Sequence, residues 1–275
     1  MSGASGFATT LDGRTHLHWQ ATGDGEPVLL IMGLGLSGGA WWRTVPVLAR
    51  RLRVITFDNR GVGRSRAFSY AYTTAAMADD AAMVLDAVGV ERAHVYGFSL
   101  GGMVAQALAL RHPERVRSLV LGATSPGGPR AARPSAEVTA FLRRRPRMAP
   151  EEAARESVRF NYGPRCRAED FERIEEDIAV RLAHPFSGAA YRAQLFAAAW
   201  HNCLSALSRI AVPTLVVHGG LDRMVPVANA HLIAARIPGA RLRILEEAGH
   251  LYPTEERSAD GDVARFLADQ REVAA

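Results

Sequence analysis

The stretch Ala93-His94-Val95-Tyr96-Gly97-Phe98-Ser99-Leu100-Gly101-Gly102 decides how this chain is read. Ala93–Tyr96 is a short apolar run of the kind that forms a buried strand. From Leu100 to Arg111 the apolar residues recur with helical period. Between them, Gly97-Phe98-Ser99-Leu100-Gly101 fits G-x-S-x-G at a strand-to-helix junction. So tight a junction forces its central residue into strained backbone and presents its hydroxyl past the end of the strand. The flanking glycines leave room for neighbouring backbone. A serine that merely capped the helix would not need them. The helix dipole at that point also favours developing negative charge. The pattern predicts Ser99 as a nucleophile.

A serine hydroxyl needs a base to take its proton, and the base needs an orienting acid. The chain order expected for such a turn is Ser, then Asp or Glu, then His. Of the nine histidines, His16, His18, His94, His112, His184, His201, His218 and His231 fall in expected strands or helices, or before the needed position. His250, in Glu246-Glu247-Ala248-Gly249-His250, follows the last expected strand in a loop and is predicted as the base. Asp222, in Gly219-Gly220-Leu221-Asp222-Arg223, follows the strand before it and is predicted as the acid. Glu246 and Glu247 are the alternatives, but they lie very near His250 in sequence. An oxyanion site needs two convergent backbone N–H donors. Leu100, next to the nucleophile, and Leu34, in Met32-Gly33-Leu34-Gly35, are predicted to supply them.

Outward from the turn, short apolar strands alternate with helical segments. Gly6–Thr10 and Thr15–Trp19 flank Asp12-Gly13 and read as an edge hairpin. Val28–Met32, Leu52–Phe57 and Arg117–Leu121 read as further strands. Ala40–Arg51 and Thr73–Leu85 read as helices, the latter with Asp79, Asp80 and Asp86 on its polar side. The alternation stops at Thr124-Ser125-Pro126-Gly127-Gly128-Pro129. A helical stretch follows, to about Ser208. The alternation then resumes with a strand at Thr214–His218, a helix at Val227–Arg236, a strand at Arg241–Leu245 and a helix at Ser258–Gln270. The expected class is α/β, a mostly parallel sheet covered by helices on both faces. Residues 1–125 and 208–275 would form this core, with residues 126–207 an inserted helical cap. Phe160, Tyr162, Phe186, Tyr191, Phe196 and Trp200 in that stretch fit either a pocket lining or a plain core.

A competing motif overlaps the oxyanion loop. Gly33-Leu34-Gly35-Leu36-Ser37-Gly38 fits G-x-G-x-x-G after a strand, and Asp58 follows at the spacing of a dinucleotide-binding fingerprint. A hairpin precedes it here, however, and the Ser99, Asp222 and His250 set falls at three separate strand ends. Gly61-Val62-Gly63-Arg64-Ser65 lacks the lysine of a phosphate loop and reads as a tight turn.

The chain has 275 residues, 48% hydrophobic and 22% charged, enough for one globular unit with a sizeable core. Its 33 basic residues are all arginine, and the net charge is +5. They are interspersed with Asp and Glu, which reads as solvated helix faces and not as a nucleic-acid surface. The dense run Arg143-Arg144-Arg145-Pro146-Arg147 reads as a plain surface patch, with steering of an anionic substrate as the alternative. Cys166 and Cys203 lack metal spacing and read as reduced thiols. Met1–Arg14 lacks the pattern of a secretory leader, and no apolar run is long enough to span a bilayer. A cytoplasmic protein with no metal, cofactor, membrane or nucleic-acid partner is expected.

Taken with Phe57-Asp58-Asn59-Arg60-Gly61-Val62-Gly63-Arg64-Ser65 and Ala248-Gly249-His250, these motifs resemble the α/β-hydrolase superfamily over nearly the whole chain. The Met-Gly-Leu-Gly and Asp-Asn-Arg-Gly loops resemble its branch of aclacinomycin methylesterase-like small-ester hydrolases. Met32 departs from the histidine usual at its position, while Ser99 is unlike the branches that use Asp there. The resemblance implies a cofactor-free serine hydrolase of a small, largely apolar ester or thioester. Lactone opening, carbon–carbon hydrolysis, acyl transfer and perhydrolysis use the same constellation. A non-catalytic binder and a dinucleotide-binding protein are the readings from other classes.

Overall fold

Six parallel strands carry the centre of the molecule, and their register explains the two layers of core around them. The computed structural model describes residues 3–10, 13–67, 72–184 and 186–270. The strands are β1 (Gly3–Thr9), β2 (Thr15–Thr22), β3 (Glu26–Ile31), β4 (Leu52–Phe57), β5 (Arg66–Ala67), β6 (Ala93–Phe98), β7 (Val116–Gly122), β8 (Thr214–Gly219) and β9 (Arg241–Leu245). They form one sheet in the order β1-β2-β4-β3-β6-β7-β8-β9, with β5 paired to β2. The hairpin β1–β2 and the β2–β4 pair are antiparallel, and β4 to β9 run parallel. Asp12 of the expected turn lies outside the described residues.

Side chains alternate across each strand, so a strand buried on both faces is apolar throughout. Leu29, Ile31, Val95, Leu119, Leu121 and Val216 face one side, against α2 (Thr74–Ala87), α3 (Leu100–Arg111) and α9 (Ala228–Arg236). Val28, Leu30, Tyr96, Phe98, Val120 and Val217 face the other, against Trp41, α1 (Thr44–Leu48) and α11 (Ala259–Ala268). The expected mostly parallel sheet with helices on both faces is the fold observed.

After Gly122 the chain leaves the sheet and does not rejoin it until Thr214. In between it forms α4 (Ala136–Arg144), α5 (Pro150–Asn161), α6 (Pro164–Glu169), α7 (Phe171–Ala183) and α8 (Gly188–Trp200). Short α10 (Tyr252–Glu255) precedes α11.

Two expectations are corrected. Ala40–Arg51 is not one helix: a 3-10 turn spans Gly38–Trp41, and α1 holds only Thr44–Leu48. Pro46 tolerates only the first turn of a helix, so α1 must begin just before it. Asp80 is not on a solvated face. It is 2% exposed, and Arg60 donates to it through Nε at 2.6 Å and Nη2 at 2.7 Å. Such a two-pronged ion pair makes burial of the carboxylate tolerable. Both cysteines are free and buried, and burial pushes each thiol up to about 12. Among the described residues, no helix is long and apolar enough to cross a membrane.

Candidate active site

β6 and α3 meet at Ser99, whose φ is 56° and ψ −119°. Such a backbone costs on the order of 1–3 kcal/mol for a residue with a Cβ and persists only where its surroundings impose it. Here the Ser99 N–H donates to the Gly122 carbonyl at 2.8 Å, and the Thr124 hydroxyl donates to the Ser99 carbonyl at 2.7 Å. Close approach explains the flanking glycines. A Cβ on Gly97 would lie 2.3 Å from the Gly101 carbonyl oxygen, and one on Gly101 would lie 1.9 Å from the Ile31 carbonyl oxygen.

His250 follows β9 in a loop that turns back over the sheet's carboxyl end. Its Nε2 lies 3.1 Å from Ser99 Oγ, and its Nδ1 lies 2.8 Å from Asp222 Oδ2. The imidazole packs against the Phe98 ring at 5.2 Å. Asp222 is held from its other side, where Oδ1 accepts the Met224 and Val225 N–H groups at 2.8 Å each. Burial alone would raise its carboxyl. The His250 charge and hydrogen bonds from His218 and His250 outweigh that and hold it at about 2. Above that pH Asp222 is an acceptor only. The Asp222–His250 bond therefore requires the proton on Nδ1, which leaves the Nε2 lone pair facing the Ser99 hydroxyl.

The structure thus brings Ser99, His250 and Asp222 together from three strand ends. Glu246 and Glu247, the alternative acids, are exposed. Leu34 and Leu100 both line the cavity onto which Ser99 opens. Leu100 is the first residue of α3, so its N–H has no carbonyl partner within the helix. The Leu34 loop presses on the serine: a Cβ on Gly33 would lie 3.1 Å from Ser99 Cβ.

The glycine loop owes its spacing to packing. Asp58 Oδ1 accepts the Gly38 N–H at 2.7 Å, and Oδ2 accepts the Arg64 N–H at 2.8 Å. Both oxygens are thus engaged inside the protein, and Asp58 is only 6% exposed. The acid that resembled a ribose ligand instead fastens the end of the Gly33–Gly38 loop. Among the described residues, no cluster of three His, Cys, Asp or Glu is arranged to hold a metal ion.

Three participants escaped the sequence reading. His218 is fully buried at the end of β8, with Nε2 3.1 Å from Asp222 Oδ2 and 2.9 Å from the Val225 carbonyl. Its position four residues before Asp222 was the available signal. Gln194 on α8 accepts the Gly35 N–H at 2.9 Å and donates to the Arg60 carbonyl at 3.1 Å. Glu255 accepts the Gly249 and Gly163 N–H groups at 2.8 Å each. Burial pushes its carboxyl up to about 7 even though those two bonds pull the other way.

The cavity measures about 470 Å³, a usual size for a small-molecule site. Phe160, Tyr162 and Tyr191 are buried elsewhere, while Phe196 and Trp200 are exposed. None of these five, nor Phe186, lines it.

A family model described as alpha/beta hydrolase fold matches residues 26–256. RutD of Azorhizobium caulinodans, named for carbamate hydrolysis, is 36% identical over 251 residues, covering 87% of this chain and 90% of its own. A pimeloyl-[acyl-carrier protein] methyl ester esterase of Aeromonas hydrophila is 33% identical, covering 83% of this chain and 89% of its own. The crystal structure of a hydrolase from Pseudomonas aeruginosa PA01 superposes with a TM-score of 0.84 at 32% identity, covering 97% of this chain and 99% of that one.

Proposed function

The chain belongs to the alpha/beta hydrolase fold family, and on that footing we propose that it is a serine hydrolase that cleaves a small carboxylic ester or thioester through an acyl-enzyme. The observation that carries this reading is the hydrogen-bonded line from Ser99 Oγ through His250 to Asp222, buried beside a cavity. Ser99 Oγ attacks the scissile carbonyl as His250 Nε2 takes its proton. Ionised Asp222 stabilises the imidazolium and fixes its tautomer. The Leu34 and Leu100 N–H groups receive the oxyanion, at the positive end of α3. His250 returns its proton to the leaving group. A water, deprotonated by the same nitrogen, then releases the acid. Helices α4–α8 act as a cap that shapes the cavity. No cofactor enters these steps, and the partner is a small acyl substrate.

A carbamate is the second reading, favoured by the 36% identity to RutD. Its carbonyl would pass through the same tetrahedral intermediate.

Fluorophosphonate labelling, read by intact mass and peptide mapping, tests the proposal. One adduct on Ser99, absent from Ser99→Ala, is expected. Asp222→Asn should retain the fold yet label and turn over slower by roughly 10⁴, the cost of the wrong imidazole tautomer. A folded wild type that takes no label would overturn the reading.

A further inference from the structure

The cavity over Ser99 is asymmetric in charge. Arg133, Arg143, Arg145 and Arg181 line it, and no Asp or Glu does. Other arginines nearby are neutralised: Arg144 and Arg159 by Glu156, Arg155 by Glu175, and Arg223 by Glu137. Among the described residues, none of the four cavity arginines makes an ion pair. Arg181 donates to the Ser157 and Tyr162 hydroxyls, and the Tyr162 hydroxyl passes on to Asp177 at 2.9 Å, while Arg133 donates to the Gly128 carbonyl. The Arg145 guanidinium rests over the Phe186 and Tyr191 rings, at 5.2 and 5.1 Å from their centres. Arg133 and Arg143 are exposed, whereas Arg145 and Arg181 are half-buried. The positive charge therefore runs from the rim inward. Apolar side chains share the lining, among them Leu34, Met103, Leu142, Leu195 and Met224.

A half-buried cation without a counter-charge, as Arg145 is, is unfavourable unless an occupant supplies one. Like charges lining one concavity also focus a field that draws in anions. We propose that the substrate is an anionic ester or thioester: a carboxylate at the far end of a short apolar acyl stem, or a phosphate on the leaving group, is received by the cavity arginines. The proposal rests on the hydrolase reading above and adds the class of substrate to it. Hydrolysis itself keeps its balance. The acyl C–O or C–S bond breaks, water gives hydroxide to the acyl carbon and a proton to the departing alcohol or thiol, and the new carboxylic acid ionises. The product then carries one more negative charge than the substrate.

The test compares ethyl hexanoate, monoethyl adipate and hexanoyl-coenzyme A on the full chain. The three share a stem and differ in bearing no anion, a carboxylate, or phosphates on the leaving group. A charge-assisted hydrogen bond corresponds to roughly ten- to hundredfold in kcat/KM. A preference of that size is expected for one anionic substrate over ethyl hexanoate, and which one it is identifies the anion. Raising the salt concentration should shrink the preference. So should Arg143→Gln, Arg145→Gln and their combination, with Ser99 labelling by fluorophosphonate reporting that each variant remains folded. Equal rates on all three substrates, or a preference that survives the double substitution, would overturn the proposal and leave the hydrolase intact. A folded wild type that takes no label and cleaves nothing would remove the hydrolase reading, and this proposal with it.

Discussion

Glu255 offers the sharpest test of how the site is held together. Its carboxylate links two backbone amides from different parts of the chain. Oε1 accepts from Gly249, beside His250, and Oε2 accepts from Gly163, at the start of α6. Burial raises the carboxyl from 4.5 to about 7. A raised folded-state pKa means that the folded protein binds this proton more tightly than the unfolded chain. The associated stability is complete below pH 4.5 and is lost as pH rises through 7. With about 1.4 kcal/mol per pH unit, and some allowance for partial exposure, the loss is roughly 2–3 kcal/mol.

Glu255→Gln removes that titration. The amide also presents an N–H to one of the two glycine donors, which loses its acceptor at roughly 1–3 kcal/mol. The variant should therefore be less stable than the parent at pH 5. The difference should shift in the variant's favour by roughly 2–3 kcal/mol by pH 8, enough to close the gap or reverse its sign. Urea unfolding followed by tryptophan fluorescence at several pH values measures it. The difference between the two proteins is the proper observable, because other groups titrate too. Burial pushes Asp260 up to about 6, giving a loss of the same sign. Burial pushes His201 down to about 4, so its contribution is present above pH 6.5 and disappears as pH falls through 4. Both terms cancel in the difference. A gap that stays constant from pH 5 to pH 8 would refute the reasoning, since Glu255 would then ionise alike in both states.

Three further outcomes follow from the same packing. Gln194→Ala leaves the Gly35 N–H without its acceptor and frees the loop bearing Leu34. Steady-state kinetics on a cleaved ester should show kcat falling roughly tenfold or more with KM little changed, the mark of a loss confined to the transition state. Gly101→Ala sets a Cβ 1.9 Å from the Ile31 carbonyl oxygen, so β3 must move before the protein can pack. Displacing a reacting group by about 1 Å costs on the order of 100-fold, and Ser99 labelling should slow by at least that much. Gly261→Ala is the control. It lies inside α11 with nothing within 4 Å of the added carbon, and thermal unfolding should show a gain of roughly 0.5–1 kcal/mol.

Much of the fold was legible because its signals are local. Strand burial on both faces makes an apolar run, and β6, whose six residues are all buried, is such a run in the sequence. The Ser99 turn was legible for a similar reason: glycines within two residues of the serine report backbone contacts at that turn. Misreadings arose where a local rule met a distant partner. An amphipathic reading turns Asp80 outward because a lone carboxylate belongs in water. Arg60, twenty residues earlier, supplies the charge that brings it inside. Gln194 and Glu255 were illegible for the same reason. Each reaches an amide far away in sequence, Gln194 that of Gly35 at 159 residues and Glu255 that of Gly163 at 92. The sequence around them carries no pattern that points to those partners.

The overlap with a dinucleotide motif shows what such a pattern encodes. Gly33, Gly35 and Gly38 permit close approach of backbone to something else, and that something is not written in their spacing. In this fold β4 and β6 lie on opposite sides of β3, so the loop after β3 faces the crevice where the strand order reverses. Ligands of open parallel sheets gather at that crevice whatever their chemistry. The same glycine spacing therefore suits a pyrophosphate in one protein and presses against Ser99 in this one. Asp58 discriminates between the two. A ribose ligand would need a carboxylate with a free oxygen, but here one oxygen takes the Gly38 N–H and the other the Arg64 N–H. The acid completes the loop from within, and the chemistry proposed for the crevice rests on Ser99 and the arginines that line the same cavity.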